Sequence, residues 1–283
     1  MDYNLYGLCV TRDEEDIIGL SLKHASQFCK EIFVLDNGSH DNTWQRVNEL
    51  SIHNRKIVPL ERKPCQFGFG LRAYIFNRMQ YKFRNGDWIL ILDSDEFLEE
   101  DPAPSIAYCE RHGFDVIYAL QAQFYVTRLD VNREWYLKGN SSIERFQDLP
   151  EYYLINWREP RLFKYKSSLN WPDMDDQGNP AQIFIPIGLT RKARKGIVNR
   201  HYQYRSLPQM KKRLKIRSDV FRATGRFPHN RDTDVSKYLK NHTRLKHSAP
   251  GKKIKPTLLD FFRLYLIKRS KRFKRMLHNR TLG

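Results

Sequence analysis

Three acidic side chains crowd into four residues at Asp93-Ser94-Asp95-Glu96. Carboxylates this close raise one another's pKa and cost free energy unless a cation neutralises them. Their oxygen donors suit a hard divalent ion, Mg²⁺ or Mn²⁺, shared with a substrate's phosphates. A solvated acidic turn is the plainer alternative, because acidic loop starts are common. The preceding run, Trp88-Ile89-Leu90-Ile91-Leu92, follows the turn signal Gly86-Asp87 and is too short for a helix. It reads as a strand buried on both faces, as in a parallel sheet. Open α/β sheets bind ligands at the ends of such strands.

The elements that must position this site come earlier in the chain. Tyr6 to Val10 reads as a first buried strand, and Ile17 to Ala25 carries helical spacing. Acidic residues Glu14 to Asp16 also suit a first helical turn. A second strand, Ile32 to Leu35, ends at Asp36-Asn37-Gly38-Ser39-His40-Asp41-Asn42-Thr43. Asn-Gly signals a turn, and Asp41 can cap a helix beginning near Trp44. Ile57 to Leu60 is a third strand, and Ala73 to Met79 a third helix. The order is β-α-β-α-β-α-β, with crossovers long enough for parallel pairing.

On these residues the first hundred positions resemble the nucleotide-sugar-binding half of GT-A-fold, family 2-like glycosyltransferases. Three motifs carry the likeness: Val10-Thr11-Arg12-Asp13-Glu14-Glu15, the Asp36 to Thr43 stretch, and Leu92-Asp93-Ser94-Asp95-Glu96-Phe97. The first has Asp13 where the family usually has Asn. The resemblance implies an α/β fold, GT-A and Rossmann-like, with a mostly parallel sheet and helices on both faces. It implies that Val10, Thr11, Arg12, Glu14, Asp36 and Gly38 hold the nucleoside. Asp93, Ser94 and Asp95 would hold ribose and a Mn²⁺ or Mg²⁺ ion. The family often has Arg-Asn before the D-x-D strand, and here Arg72-Ala73 stands there. Arg72 is either a nucleotide contact or a solvated charge at a helix start.

Beyond Asp101-Pro102 lies the acceptor half. Phe114 to Val126 begins as a buried strand and then alternates, and Arg158 to Tyr165 looks like the family's R-L-F-R strand. Trp135, Tyr136, Tyr152, Tyr153 and Trp157 could stack on sugars, although buried aromatics more often build cores. An inverting transferase needs a carboxylate to deprotonate the acceptor hydroxyl. Glu159 is the first candidate and Asp173 the second, while Asp175 and Asp176 look like an ordinary polar loop. The segment from His201 to Lys212 resembles the group's H-Y-x-x-R-S-x-x-Q stretch. It makes His201 a third ion ligand and Arg205 a diphosphate contact, with structural and solvated roles as the alternatives.

The net charge of +18 is uneven. Residues 191–283 hold 29 Lys and Arg against 4 Asp and Glu, and residues 1–190 hold 21 against 28. The basic third calls for a polyanionic partner. After Pro256-Thr257, one helical face gathers Leu258, Leu259, Phe262, Tyr265, Leu266, Phe273, Met276 and Leu277. Asp260, Arg263, Lys268, Lys271, Lys274 and Arg275 lie opposite, with Leu264, Ile267 and Arg269 out of place. This suits either a helix in an anionic membrane interface or one docked on the protein.

The expected organisation is a GT-A domain over 1–215, with halves 1–100 and 101–215, and a basic helical extension over 216–283. No apolar run is long enough to span a membrane, and no secretory leader is evident, so a cytoplasmic protein peripheral on the inner membrane face is expected. Cys9, Cys29, Cys65 and Cys109 have no metal-ligand spacing and read as reduced thiols. The expected partners are a nucleoside-diphosphate sugar, UDP-linked by analogy, and a glycan or glycolipid acceptor. The alternative is a basic nucleic-acid- or membrane-binding protein on an inactive GT-A scaffold. No groove-entering or base-stacking module supports nucleic acid, so none is expected.

Overall fold

Strand β1 (Leu5–Thr11) is buried along its whole length, and its side chains alternate between two apolar layers. Leu5 and Cys9 face the layer that takes Ile18 and Leu22 of α1 (Ile18–Ala25), Val47 of α2 (Thr43–His53) and Ile106 of α4 (Ala103–His112). Tyr6, Leu8 and Val10 face the layer that takes Leu71, Ile75 and Phe76 of α3 (Gly70–Met79). Strand β4 (Trp88–Asp93) alternates in the same way. Continuous apolar runs arise because both faces of these strands are covered.

The computed structural model describes residues 3–193, 196–224, 232–249 and 252–280. Two compact units emerge: Met1–Gln121 with Trp157–Asn199, and Ala122–Asn156 with Arg200–Gly283. In the first unit, β1 pairs in parallel with β2 (Glu31–Asp36) and with β4, and β2 pairs in parallel with β3 (Ile57–Arg62). The strand order is β3-β2-β1-β4-β7-β6-β8-β5, where β5 is Glu96–Leu98, β6 Val116–Tyr125, β7 Tyr152–Lys164 and β8 Ile197–His201. Strand β7 runs antiparallel to β4. Edge strand β3 carries Pro59, and its register with β2 shifts between Val34 and Leu35. The α/β sheet with helices on both faces matches the expected GT-A-like class. Asp41 acts one residue earlier than a standard cap, its Oδ1 accepting the Thr43 N–H at 3.0 Å.

All four cysteines are free, and three are buried. Burial pushes the Cys29 thiol up to about 12 and the Cys109 thiol up to about 11. These thiols are core residues and poor nucleophiles.

The second unit contains α5 (Glu134–Lys138), α6 (Leu207–Thr224), β9 (Lys246–His247) and α7 (Leu258–Arg280). Its core gathers Val126, Tyr136, Tyr204, Met210 and Leu214, with Trp135 packed against it. Tyr153 is buried beside Phe124, and Tyr152 packs on His242 and His247. The expected boundary after 215 falls inside α6, whose sequence has no glycine or internal proline from Gln209 until Gly225.

The start of α7 is fixed by Asp260, whose side chain reaches back to Thr257. Asp260 Oδ2 accepts from the Thr257 N–H at 2.8 Å and from Thr257 Oγ1 at 2.9 Å, and also pairs with Lys246. Burial alone would raise the Asp260 carboxyl, but the hydrogen bonds from Lys246 and Thr257 hold it low. Asp260 is buried, and Arg263, Leu264 and Ile267 are half-buried. Leu258, Phe262 and Tyr265 are 89%, 57% and 54% exposed, with Leu259, Phe261 and Leu266 beside them. The mainly polar side of α7 therefore faces the unit, which explains why Leu264 and Ile267 sit there. The side chains of Lys271, Phe273, Lys274, Arg275, Met276 and Leu277 lie outside the described residues. Among the described residues no helix is long and apolar enough to cross a membrane.

Candidate active site

Register brings the candidate residues of the first unit to one edge. Thr11 lies opposite Asp36, and Val10 opposite Asp93, so β2, β1 and β4 end side by side. The loops that follow are tied together. The Asp13 N–H donates to Ser39 Oγ at 2.9 Å, and the His40 N–H donates to Asp13 Oδ1 at 2.7 Å. The Glu14 N–H donates to Thr43 Oγ1 at 2.8 Å. Asp13 has a φ of 55°, a left-handed conformation that Asn and Asp tolerate best. This explains why Asp can replace the family's usual Asn. Its carboxylate also lies 3.6 Å from Arg12 Nε.

Asp36 is fully buried. Its Oδ1 accepts the Gly38 and Ser39 N–H groups at 2.9 and 2.8 Å, and lies 3.6 Å from Arg62 Nε. Asp36 Oδ2 and Thr11 Oγ1 are buried and have no hydrogen-bond partner among the described residues. Such groups are costly unless a ligand or water completes them. Gly38 is required twice over: its φ is +77°, and an added Cβ would lie 2.7 Å from Pro64 Cβ.

The end of β4 holds a network that the chain order hides. Asp93 Oδ1 accepts from Arg72 Nη2 at 2.5 Å, and Asp93 Oδ2 from Arg161 Nη2 at 3.0 Å. The same Arg161 nitrogen donates to Glu159 Oε1 at 2.7 Å and to Glu96 Oε1. Gln121 Nε2 donates to both glutamates, at 3.3 Å to Glu96 and 2.6 Å to Glu159. Asn199 Nδ2 donates to Glu96 Oε2 at 2.6 Å, and Trp157 Nε1 to Glu159 Oε1 at 3.2 Å. Both guanidinium groups lie over the Phe184 ring, at 4.9 Å for Arg72 and 6.0 Å for Arg161.

Electrostatics follow from this packing. Burial pushes the Asp93 carboxyl up, but Arg72 and Arg161 outweigh it and bring it down to about 2. Burial works against the charge on Arg161, yet Glu96, Asp93 and Glu159 raise its pKa. Four carboxylates, Asp93, Asp95, Glu96 and Glu159, and two guanidinium groups, Arg72 and Arg161, gather here. Ser94 and Asp95 are buried beside them. Oxygen donors of this kind fit a hard divalent ion. Such ions often take only one or two carboxylates and complete their shell with substrate phosphates and water. Among the described residues no three His, Cys, Asp or Glu side chains form a ready-made ion site.

Arg72 is buried, so the solvated alternative for it is wrong. It starts α3 next to Gly70, whose added Cβ would lie 2.0 Å from the Asp173 carbonyl oxygen. Asp173 thus rides on a loop packed against that helix start, and its carbonyl accepts the Ala181 N–H at 2.9 Å. Asp175 Oδ1 accepts the Gln177 and Asn179 N–H groups at 3.0 and 2.8 Å, as a turn residue does. His201 and Arg205 fall in the second unit. The His201 carbonyl accepts from Gln123 Nε2 at 3.4 Å. Arg205 is buried rather than solvated, with Nη1 donating to the Tyr202 carbonyl at 2.9 Å.

Sequence reasoning passed over Arg161, Gln121 and Asn199. One signal was present. Glu159, Arg161 and Phe163 alternate along β7, which puts two opposite charges on the same side as a buried ring.

The chain matches the family model described as Glycosyl transferase family 2 over residues 9–168. No curated protein matches it. Solved structures similar to it include S. aureus TarS 1-349, at 15% identity and a TM-score of 0.39, covering 80% of this chain and 68% of that one. The mannosyltransferase PcManGT from Pyrobaculum calidifontis, in complex with GDP-Man and Mn²⁺, is 13% identical with a TM-score of 0.39, covering 79% and 64%. Glucosyl-3-phosphoglycerate synthase from Mycobacterium tuberculosis, with Mn²⁺, UDP and glucosyl-3-phosphoglycerate, is 18% identical with a TM-score of 0.29, covering 44% of each chain. This chain therefore spans between 44% and 68% of the length of these three. Likenesses this distant say nothing of its own donor or ion.

Proposed function

Because the chain belongs to glycosyl transferase family 2, whose model matches residues 9–168, we propose that it transfers a sugar from a nucleoside diphosphate to an acceptor hydroxyl. The observation that carries this reading is the shared edge. Thr11, Asp36 and Asp93 end three adjoining parallel strands beside a buried cluster of carboxylates and guanidinium groups.

In this reading Asp36 Oδ2 and Thr11 Oγ1 meet the base and ribose, framed by Val10, Arg12, Glu14 and Gly38. Asp95, with Asp93 and Ser94, binds the ribose and a Mn²⁺ or Mg²⁺ ion. When bound, the ion offsets the charge that develops on the departing diphosphate. Arg205 and Arg72 add positive potential. Glu159 is the base. Its Oε1 is held by Arg161, Gln121 and Trp157, which leaves Oε2 to take the acceptor proton. Attack on the anomeric carbon from the side opposite the leaving group gives inversion. Asp173 is the second candidate for this role. UDP is the favoured nucleotide, and a surface glycan or glycolipid is the acceptor.

A screen of nucleotide-sugar hydrolysis with and without Mn²⁺ tests this. The expected result is ion-dependent release of UDP from one donor. Absence of ion-dependent nucleotide binding, together with tight, salt-sensitive RNA binding, would overturn it in favour of an inactive scaffold that binds nucleic acid.

A specific observation also favours an anionic membrane surface as a partner; a peripheral position on the cytoplasmic face is part of the same proposal and rests on the sequence alone. Helix α7 turns Leu258, Leu259, Phe262, Tyr265 and Leu266 outward, flanked by exposed Lys252, Lys253, Lys255, Lys268 and Arg269. Bulky apolar groups beside positive charge fit an interfacial helix, and each basic residue near an anionic leaflet adds ~1 kcal/mol.

A further inference from the structure

Arg161 is 2% exposed, so almost none of it is open to solvent. Yet one of its nitrogens reaches Asp93 at the end of β4, Glu96 at the start of β5 and Glu159 on β7. Gln121 and Asn199 extend the same network to β6 and β8. We propose that Arg161 is a positioning residue that fixes the spacing between Asp93, on the donor side, and Glu159, on the acceptor side. This rests on the reading of the site given above.

Two roles must be separated, because Arg161 also balances charge. Its loss would remove one positive charge from beside Asp93, Glu96 and Glu159, which is strongly destabilising at a buried site. Its geometric role is different. A base misplaced by about 1 Å can cost ~100-fold in rate. Arg161→Met combined with Glu96→Gln removes one formal charge of each sign, so the net formal charge is unchanged, but it also removes the common nitrogen between Asp93 and Glu159. The pair therefore keeps the charge and discards the spacing.

The measurements are thermal unfolding, calorimetric binding of UDP with Mn²⁺, and turnover of the donor found in the hydrolysis screen. Arg161→Met alone is expected to lower Tm sharply. The double variant is expected to regain most of that Tm and to bind UDP with Mn²⁺ within about threefold of wild type. Its kcat is expected to fall ~100-fold while KM stays nearly constant. Arg161→Lys, which keeps the charge but loses the planar group over Phe184, is expected to recover part of the kcat. A folded double variant with wild-type kcat would reduce Arg161 to charge balance and overturn the proposal. A folded double variant that no longer binds UDP with Mn²⁺ would overturn it as well, since Arg161 would then act on donor binding. A wild-type protein that binds no nucleotide in the presence of Mn²⁺ would instead remove the reading of the site on which the proposal stands.

Discussion

The end of β4 and the outer face of α7 break the usual distribution of polarity in opposite directions. At β4, charge is buried: Arg72, Asp95, Glu96 and Arg161 are almost wholly inside. On α7, apolar groups are outside while Asp260 is inside. Each exception is held by ion pairs, Arg161 with three carboxylates in one case and Lys246 with Asp260 in the other. Neither arrangement helps packing, and each has a clear use. Buried charge supplies a fixed field for a charged ligand, and exposed apolar surface supplies affinity for something that covers it. Sites where folding rules fail locally are where function is expected.

The largest test of the first region is Asp95→Ala. It is expected to weaken ion-dependent UDP binding by more than ~100-fold, as loss of a charged ligand should, with the circular-dichroism spectrum unchanged. Calorimetry showing wild-type affinity would detach the β4 edge from the nucleotide. For the second region, Leu259→Asp with Phe262→Asp is expected to release the protein from phosphatidylglycerol vesicles in flotation. Retention of the double variant would return α7 to the ordinary surface. Truncation of residues 256–283 gives the same reading less cleanly, because it also removes Asp260 from Lys246.

A smaller effect concerns acid. The Asp93 carboxyl, at about 2 in the folded protein, lies below the unfolded value of roughly 3.9. A depressed carboxyl stabilises the fold above the unfolded pKa, and that contribution is lost as pH falls from about 4 to about 2. Denaturant midpoints of wild type and Asp93→Asn should therefore differ at pH 7 and converge only as pH falls to about 2. A constant gap would mean that Asp93 is not ion-paired as described. The smallest effect serves as a control outside both regions. Asp13→Asn should change stability by less than ~0.5 kcal/mol, whereas Asp13→Val should cost ~2 kcal/mol for its left-handed backbone.

The parallel strands were legible because both faces are buried, which leaves unbroken runs such as Trp88 to Leu92. Asp36 and Asp93 were legible because each ends such a run at a turn. The Arg161 network was not, because its partners Asp93 and Glu96 lie 68 and 65 residues away in sequence. Arg72 and Arg205 illustrate the same limit. Composition makes an arginine solvent-facing by default, and only tertiary contacts show it buried. Over the described start of α7 the helical wheel grouped Leu258, Leu259, Phe262, Tyr265 and Leu266, which share the exposed side. It gave no sign of which face turns inward, because that depends on Lys246 meeting Asp260.

Both margins of the first unit's sheet resist extension. On one side Pro59 has no amide proton to offer an incoming strand, and the shifted register beside it interrupts the regular ladder. On the other, β5 is only three residues long. A stray segment looking for a straight row of open amides finds neither a long one nor an unbroken one. Crowded copies of this protein are thereby protected against edge-to-edge aggregation.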